Sequence, residues 1–268
     1  MKASFNVTLA QNAVPILVSV PHCGVAFPSE LRDQYNSKLI QAPDDTDWFV
    51  DRLYVFAPAM GISMITAVYT RWVIDLNRDP ESKPLYSDGR IITALCPTTT
   101  FLGEPIYRDQ RTTVSEPDVE SRLHQYFWPY HRQLESMLAE LTSRFGNVLL
   151  WDCHSIRQVV PTIQREKFPD LILGSADEKS ASAVLTRNAL KNLNSAEYEL
   201  QHNRPFKGGY ITRTYGQPAL GRSALQLEMT KVNYMDDGEL AYNESRAGKM
   251  REVLKKTLGG LAEALIKN

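Results

Sequence analysis

The chain has 268 residues, of which 43% are hydrophobic and 23% charged, a composition typical of globular proteins that argues against intrinsic disorder. Its 30 basic and 31 acidic residues give a net charge of -1, which predicts no electrostatic footprint for nucleic acid or for an anionic membrane. We therefore expect a small ligand bound in a pocket.

The N-terminal segment and the cysteines bear on the cellular location. The longest early apolar run, residues 13–20, is broken by Pro15 and is too short and too polar for a signal peptide. No stretch approaches the roughly 18 apolar residues that span a bilayer. Cys23, Cys96 and Cys153 show no paired spacing, so we predict free thiols and a cytoplasmic protein.

Two hydrophobic periodicities alternate along the chain. Short apolar runs predict strands at 14–20, 62–67, 72–76, 147–152, 170–174 and 223–229. Helical spacing predicts helices at 47–60, 116–144, 180–194 and 239–266. Residues 77–117 are rich in Pro, Gly, Asp and Thr and predict a long functional loop or a small subdomain. The alternation predicts α/β layering around a parallel or mixed sheet, and without a visible linker we predict one domain over 1–268.

Two of the five histidines, His22 and His154, stand at the ends of predicted strands. In α/β sheets, ligands bind in the crevice beyond the carboxyl ends of the strands. A single histidine at such a place usually makes a structural hydrogen bond, whereas two in equivalent places indicate a metal site. The remaining three are interpreted as structural or surface residues: His124, His131 and His202.

Acidic residues near these histidines complete a possible ligand set. Two imidazoles and one carboxylate suit a catalytic zinc ion and leave one position for water. The candidates are Asp44, Asp45 and Asp47, although this cluster also suits the start of the next predicted helix. We predict Asp47 as the third ligand, because the turn before the helix can direct it into the crevice, with Asp45 as the alternative. Asp152 lies on the same side of its strand as His154 and either orients that ligand or is structural.

Glu228 stands in an otherwise apolar predicted strand at 223–229. A carboxylate in such a place is costly unless it is paired or functional. Burial would raise its pKa toward the range that suits a general base taking a proton from water. We predict this catalytic role for Glu228, and the alternative is an inward carboxylate paired with Arg or Lys.

Arginines bracket the predicted strand at 72–76. Arg71 precedes it, and Arg78 follows it with Asn77 beside it. A guanidinium group binds a carboxylate through two parallel hydrogen bonds, so such residues select an acidic substrate. We predict substrate binding by Arg78, Asn77 and Arg71, and for Arg71 a structural pair with a neighbouring Asp is the alternative.

A glycine pair marks a turn at residues 207–210 (KGGY). Glycine lets the backbone approach a ligand closely, and the alternative is a plain hairpin turn. We predict that this turn binds substrate through Lys207, Gly209 and Tyr210.

A cysteine hydrolase is the rival interpretation, because Cys23 adjoins His22 and Cys153 adjoins His154. Neighbouring residues on an extended chain point to opposite faces, so neither pair forms a natural nucleophile–base couple. Only a cross-pair such as Cys23 with His154 keeps this alternative open.

The motifs in their order resemble those of the N-formylglutamate amidohydrolase family of histidine degradation, over about residues 14–234. The resemblance is carried by residues 20–24 (VPHCG), 45–48 (DTDW), Arg71 with 73–80 (VIDLNRDP), 95–99 (LCPTT), 152–155 (DCHS), 207–210 (KGGY) and 226–228 (QLE). It implies a three-layer α/β/α fold with a mixed sheet, similar to that of the zinc carboxypeptidases. It also implies that His22 and His154 are zinc ligands and Glu228 the general base.

The sequence departs from the carboxypeptidase pattern His-x-x-Glu, because Val25 stands three residues after His22. The carboxylate ligand must therefore come from elsewhere, which is the reason for choosing Asp47. We hypothesise hydrolysis of N-formyl-L-glutamate to formate and L-glutamate with a divalent metal, most simply zinc. The alternatives are deacylation of another N-acyl acidic amino acid, cleavage of a small peptide, and a binding protein without catalysis.

Overall fold

The computed structural model describes residues 3–81, 94–194 and 197–267, and a seven-stranded sheet runs through this part of the chain. The strands are β1 (Phe5–Thr8), β2 (Ile16–Val20), β3 (Ser63–Ala67), β4 (Val148–Ile156), β5 (Leu171–Gly174), β6 (Leu200–His202) and β7 (Arg222–Thr230). Their order in the sheet is β1-β3-β2-β4-β7-β5-β6. Strands β3, β2, β4 and β7 are parallel, whereas β1 is antiparallel to β3 and β5 to β7, so the sheet is mixed.

Helices connect these strands. The α-helices are α1 (Ser29–Arg32), α2 (Val50–Leu53), α3 (Glu116–Arg122), α4 (Trp128–Phe145), α5 (Ala183–Leu193), α6 (Tyr210–Tyr215) and α7 (Glu244–Ile266). A π-helical turn, Leu123–Phe127, joins α3 to α4, and 3₁₀ turns lie at Leu39–Gln41, Ala57–Met60, Pro218–Leu220 and Lys231–Asn233. Within the described ranges, none of these helices combines the length and the apolar character that crossing a membrane requires.

The two faces of the sheet are covered by different helices. On one face, Ile16, Val18 and Val20 of β2 pack with α2, α5 and α7. On the other face, Leu17 of β2 and Leu150 of β4 pack with α4 and α6. Each fully buried large side chain contributes about 1.5–3 kcal/mol to the free energy of unfolding. Because both faces of the sheet carry such side chains, each face needs a layer of helices to cover it. The predicted α/β/α layering with a mixed sheet is confirmed.

Most predicted elements are confirmed, but two are wrong. The helix expected at 47–60 is only the short α2 followed by a 3₁₀ turn. Phe49 has a left-handed φ of 62°, so no helix extends back before Val50, and Pro58 lacks the N–H that an α-helix would require there. The apolar spacing instead reflects burial of Val50, Leu53 and other side chains against the sheet.

The strand expected at 72–76 is also absent from the sheet. Its backbone makes turns, in which Val73 N–H donates to the Thr70 carbonyl and Arg78 N–H to the Asp75 carbonyl. The side chains of Trp72 and its apolar neighbours are buried all the same. An apolar run in a buried loop thus produced the same pattern as a strand.

The strand predicted at 147–152 continues to Ile156, because β4 and β7 pair residue by residue along their full lengths. His154 therefore lies inside β4, not after it, while His22 follows the end of β2 as predicted. Strand β2 lies between β3 and β4, so the chain passes from β2 to β3 on one side and then crosses over to β4 on the other side. A crevice forms at such a switch point, and both histidines lie there.

His131 of α4 supports the chain next to this crevice. Its Nε2 donates a hydrogen bond to the Leu76 carbonyl at 2.9 Å, and its Nδ1 lies 3.0 Å from the Tyr215 hydroxyl. Burial lowers the pKa of His131 to about 4. The interpretation of this residue as structural agrees with these contacts.

We predict that His131 makes the protein less stable as the pH falls. The unfolded state binds the imidazole proton near pH 6.5, whereas the folded state resists it until about pH 4. The stabilisation is complete above about pH 6.5 and is lost toward pH 4, on the order of 1–3 kcal/mol. Urea unfolding at several pH values measures this slope, and His131→Gln should flatten it. An equal slope in both proteins would contradict the prediction.

Candidate active site

A cavity of about 410 Å³ lies over the crevice. Its wall contains the predicted metal ligands, base and arginines together with two other predicted site residues: His22, Asp47, His154, Glu228, Arg71, Arg78, Asn77 and Gly209. The wall also includes apolar side chains such as Phe101, Ile156 and Phe206. Residues that lie far apart in the sequence thus meet at one place, which is the arrangement expected of a ligand site.

His22, Asp47 and His154 form a buried group whose possible ligand atoms all lie within 4.8 Å of one another. Asp47 Oδ2 is 3.2 Å from His154 Nδ1 and 3.7 Å from His22 Nδ1. The backbone N–H of Asp47 donates to the His22 carbonyl at 2.9 Å, which holds the turn before α2 against the end of β2. Neighbouring segments therefore converge on one point with two nitrogens and one carboxylate.

In both histidine rings, the Nε2 atom contacts the carboxylate of an aspartate. His22 Nε2 lies 2.7 Å from Asp75 Oδ1, and His154 Nε2 lies 3.0 Å from Asp152 Oδ2. Ser19 donates to the other oxygen of Asp152 at 3.1 Å. In metal sites, such carboxylates fix the tautomer and the orientation of the ligand histidines. Both Nδ1 atoms are thereby directed toward Asp47.

The chemistry of this group fits a divalent cation. His22 Nδ1 is buried and has no hydrogen-bond partner among the described residues, a costly state for a polar atom. Burial by itself would raise the pKa of Asp47, but the neighbouring His154 and His22 rings hold its pKa well below the usual range. The group thus offers a charged oxygen and a vacant nitrogen lone pair at a common point.

The other two aspartates of the predicted cluster have different partners. Asp45 accepts hydrogen bonds from Trp72 Nε1 at 2.8 Å and from the Phe101 backbone at 2.9 Å. Asp44 forms an ion pair with Arg157. Neither carboxylate joins the histidine pair, so the geometry favours Asp47 over the alternative Asp45.

Asp75 connects the histidine pair to the arginines, and it is the neighbouring Asp with which Arg71 pairs, as the structural alternative for that arginine expected. One oxygen faces His22, and the other accepts from Arg71 and lies 3.5 Å from Arg78 Nε. Burial raises the pKa of Asp75, but Arg71, His22 and Arg78 outweigh it and hold the pKa well below normal. The available signal was an acidic residue in an apolar segment between two arginines, since such a carboxylate must be paired.

Glu228 lies beside His154 in the sheet, since the two residues are direct partners in the parallel pairing of β4 and β7. Their Cα atoms are therefore about 4.8 Å apart, and their side chains leave the same face. Burial raises the pKa of Glu228 to about 8. Its carboxyl group is thus adjacent to the histidine–aspartate group and able to exchange a proton near neutral pH.

The remaining predicted substrate residues differ in position. The side chain of Asn77 makes contacts within the protein, accepting from Ile211 N–H at 2.8 Å and lying 3.0 Å from His154 Nε2. Gly209 lies in the cavity wall directly before α6. Lys207 pairs with Asp177 at 2.9 Å, and Tyr210 packs near Phe127. Contacts of these residues with a substrate stay a prediction.

Known proteins resemble this chain in sequence over most of its length. A family model described as N-formylglutamate amidohydrolase matches residues 14–235, a range that includes every residue of the site. A protein of Pseudomonas putida named N-formylglutamate deformylase is 39% identical over 254 residues, covering 94% of this chain and 93% of its own length. One of the same name from Pseudomonas aeruginosa is 39% identical over 256 residues, covering 92% of each.

Solved structures share the fold. A crystal structure of N-formylglutamate amidohydrolase from Ralstonia eutropha has a TM-score of 0.82 at 26% identity and covers 99% of each chain. A gene product of Agrobacterium tumefaciens has a TM-score of 0.74 at 16% identity, with 97% of this chain and 96% of its own covered. The second likeness is one of fold alone, and it extends the same layering over nearly the whole chain.

We predict that Asp75→Asn weakens both the fold and metal binding. A neutral amide leaves two arginines without their buried counter-charge, and breaking such a pair costs about 3–5 kcal/mol. It also loosens the hold on His22, which should lower metal affinity roughly 10–100-fold. Urea unfolding and competition with a metal-binding dye measure the two effects.

Asp45→Asn is the matched control, because Asp45 is equally buried but contacts no histidine. It should lose stability and keep its metal affinity. Equal metal affinity in Asp75→Asn and the unmodified protein would contradict the role assigned to Asp75.

Proposed function

The chain belongs to the N-formylglutamate amidohydrolase family, and we propose that it hydrolyses N-formyl-L-glutamate to formate and L-glutamate, a step of histidine degradation. The observation that carries the proposal is the meeting, in one cavity, of a buried His–Asp–His group, a carboxyl group of raised pKa and two arginines. Amide hydrolysis needs a polarised carbonyl, a proton acceptor near the attacking water and groups that bind the substrate. The cavity wall contains candidate residues for each of these functions.

A divalent cation, most simply zinc, would be held by His22, Asp47 and His154. Bound there, it would supply Lewis acidity for the amide carbonyl and lower the pKa of water. The protein prepares this place by presenting both Nδ1 atoms, with Asp75 and Asp152 fixing the rings from behind.

Glu228 would act as the general base and then as the acid. Its carboxylate takes a proton from the attacking water and hands it to the leaving nitrogen, so that the amine departs as a good leaving group. Its place beside His154 in the sheet brings it next to the carbonyl that the site would hold. The positive charge of a bound cation would lower its pKa from the value near 8 and increase its ionised fraction.

Arg71 and Arg78 would bind a carboxylate of the substrate. Both guanidinium groups line the cavity, and Asp75 orients them from one side. A guanidinium has five N–H donors in a planar fork, so a group that contacts Asp75 can also present donors to the cavity. Asn77 and Gly209 line the same wall, whereas the Lys207 side chain is directed to Asp177.

We predict that Glu228→Gln lowers kcat about 10²–10⁴-fold, because the amide cannot accept the proton of the water. Formate release from N-formyl-L-glutamate measures turnover, and metal content measured in parallel should be unchanged. The unmodified enzyme should also lose activity after chelation and regain it when zinc is added back. Unchanged turnover in Glu228→Gln would remove this residue from the mechanism.

We predict that Arg78→Ala raises KM for N-formyl-L-glutamate roughly 10–100-fold, the loss of one charge-assisted hydrogen bond of about 1.5–3 kcal/mol. The substrate with both carboxylates amidated should show little change, and the two singly amidated forms identify the carboxylate that Arg78 contacts. Arg108→Ala is the control, because Arg108 is exposed and absent from the cavity wall. Equal effects on charged and uncharged substrates would refute the contact.

A further inference from the structure

We propose that Gln226 is a positioning residue, whose side-chain amide holds the carboxylate of Glu228 in the orientation that proton transfer needs. The inference rests on the proposed function, since it assumes that Glu228 is the base. It adds a residue that acts through Glu228 and not on the substrate.

Gln226 lies on β7, two residues before Glu228, so both side chains leave the same face of the strand. It is buried and forms part of the cavity wall. In the sheet it stands between Asp152 of β4 and Gly174 of β5. A polar amide in the interior is tolerated only when its donors and acceptors find partners.

The partners of Gln226 determine which way its amide is turned. Its Oε1 accepts a hydrogen bond from the Gly209 backbone N–H at 2.9 Å and lies 3.4 Å from Asn77 Nδ2. Because a backbone N–H can only donate, the oxygen must face Gly209. The Nε2 group consequently faces Glu228 and donates to its Oε2 at 3.4 Å.

The loop that supplies this N–H approaches the sheet through two glycines. A Cβ on Gly174 would lie 2.7 Å from the Gly208 backbone nitrogen, and a Cβ on Gly209 would lie 2.4 Å from Asn77 Nδ2. Any larger residue at either position would push the loop away. The close approach explains why residues 174 and 209 are glycines, and it brings the Gly209 N–H to the Gln226 amide.

A hydrogen bond to one oxygen of Glu228 has two effects. It fixes the rotation of the carboxylate, and it makes Oε2 the less basic oxygen, so Oε1 is the one that takes the proton. The bond is long, as catalytic hydrogen bonds often are before the substrate is bound. Loss of the N–H would leave the metal ligands in place but misalign the base.

The test compares two substitutions. Gln226→Glu keeps an oxygen for Gly209 N–H and removes the N–H that faces Glu228. We expect kcat on N-formyl-L-glutamate to fall about 10–100-fold, with KM and zinc affinity near those of the unmodified holoenzyme, while the second buried carboxylate lowers the Tm. Gln226→Met, which lacks both groups, should lose kcat and also lower the Tm.

The control is Gln217→Glu, the same substitution at an exposed position outside the cavity wall, which should leave all these quantities unchanged. Full kcat in Gln226→Glu overturns the inference and leaves the proposed function standing. A loss of kcat accompanied by an equal loss of zinc affinity also overturns it, since that marks a structural role. If the unmodified holoenzyme releases no formate, or Glu228→Gln keeps its turnover, the proposed function fails and this inference with it.

Discussion

The contacts of one buried carboxylate, Asp75, organise both halves of the site. One oxygen contacts His22 and the other contacts the two arginines. The same charge therefore orients a candidate metal ligand and the two arginines that are predicted to bind the substrate. Burying an ion is costly, and the cost is offset only when its partners are well placed. The arginines are therefore held near the histidine pair by the requirement that Asp75 be neutralised. The positions of His22 and of both arginines in the cavity wall depend on these contacts of Asp75.

The parts of the fold that depend on local pattern were accessible from the sequence. Strands β2, β4 and β7 are apolar runs in the chain, and the crevice at their carboxyl ends follows from general rules of α/β sheets. The short α2 and the buried loop at 72–76 were not accessible, because their apolar spacing records burial and not hydrogen bonding. Periodicity reveals which residues face a core, while Phe49 and Pro58 decide what the backbone does there.

The residues of the site likewise divide into those that the sequence pattern reveals and those that it does not. His22, His154 and Glu228 were visible because a polar residue interrupts or follows an apolar strand. Asp47 was a choice among three aspartates, and only the chain path shows that its oxygen lies 3.2 Å from His154. Asp75 and Gln226 were assigned no function, because Asp75 meets His22 across 53 residues of chain and Gln226 is turned toward Glu228 by a loop residue, Gly209. In both cases the local signal, a polar residue in an apolar segment, did not identify the partner.

The pairing of β4 with β7 has a consequence for how such a protein can diverge. His154 and Glu228 sit opposite each other in continuous strands, so their separation is set by the spacing of the sheet and not by any loop. The arginines and Phe101 belong instead to irregular connections over the cavity. Loops accept insertions and exchanges that a central strand does not. We therefore expect changes of substrate preference to arise in these connections, while the sheet keeps His154 and Glu228 at a fixed separation.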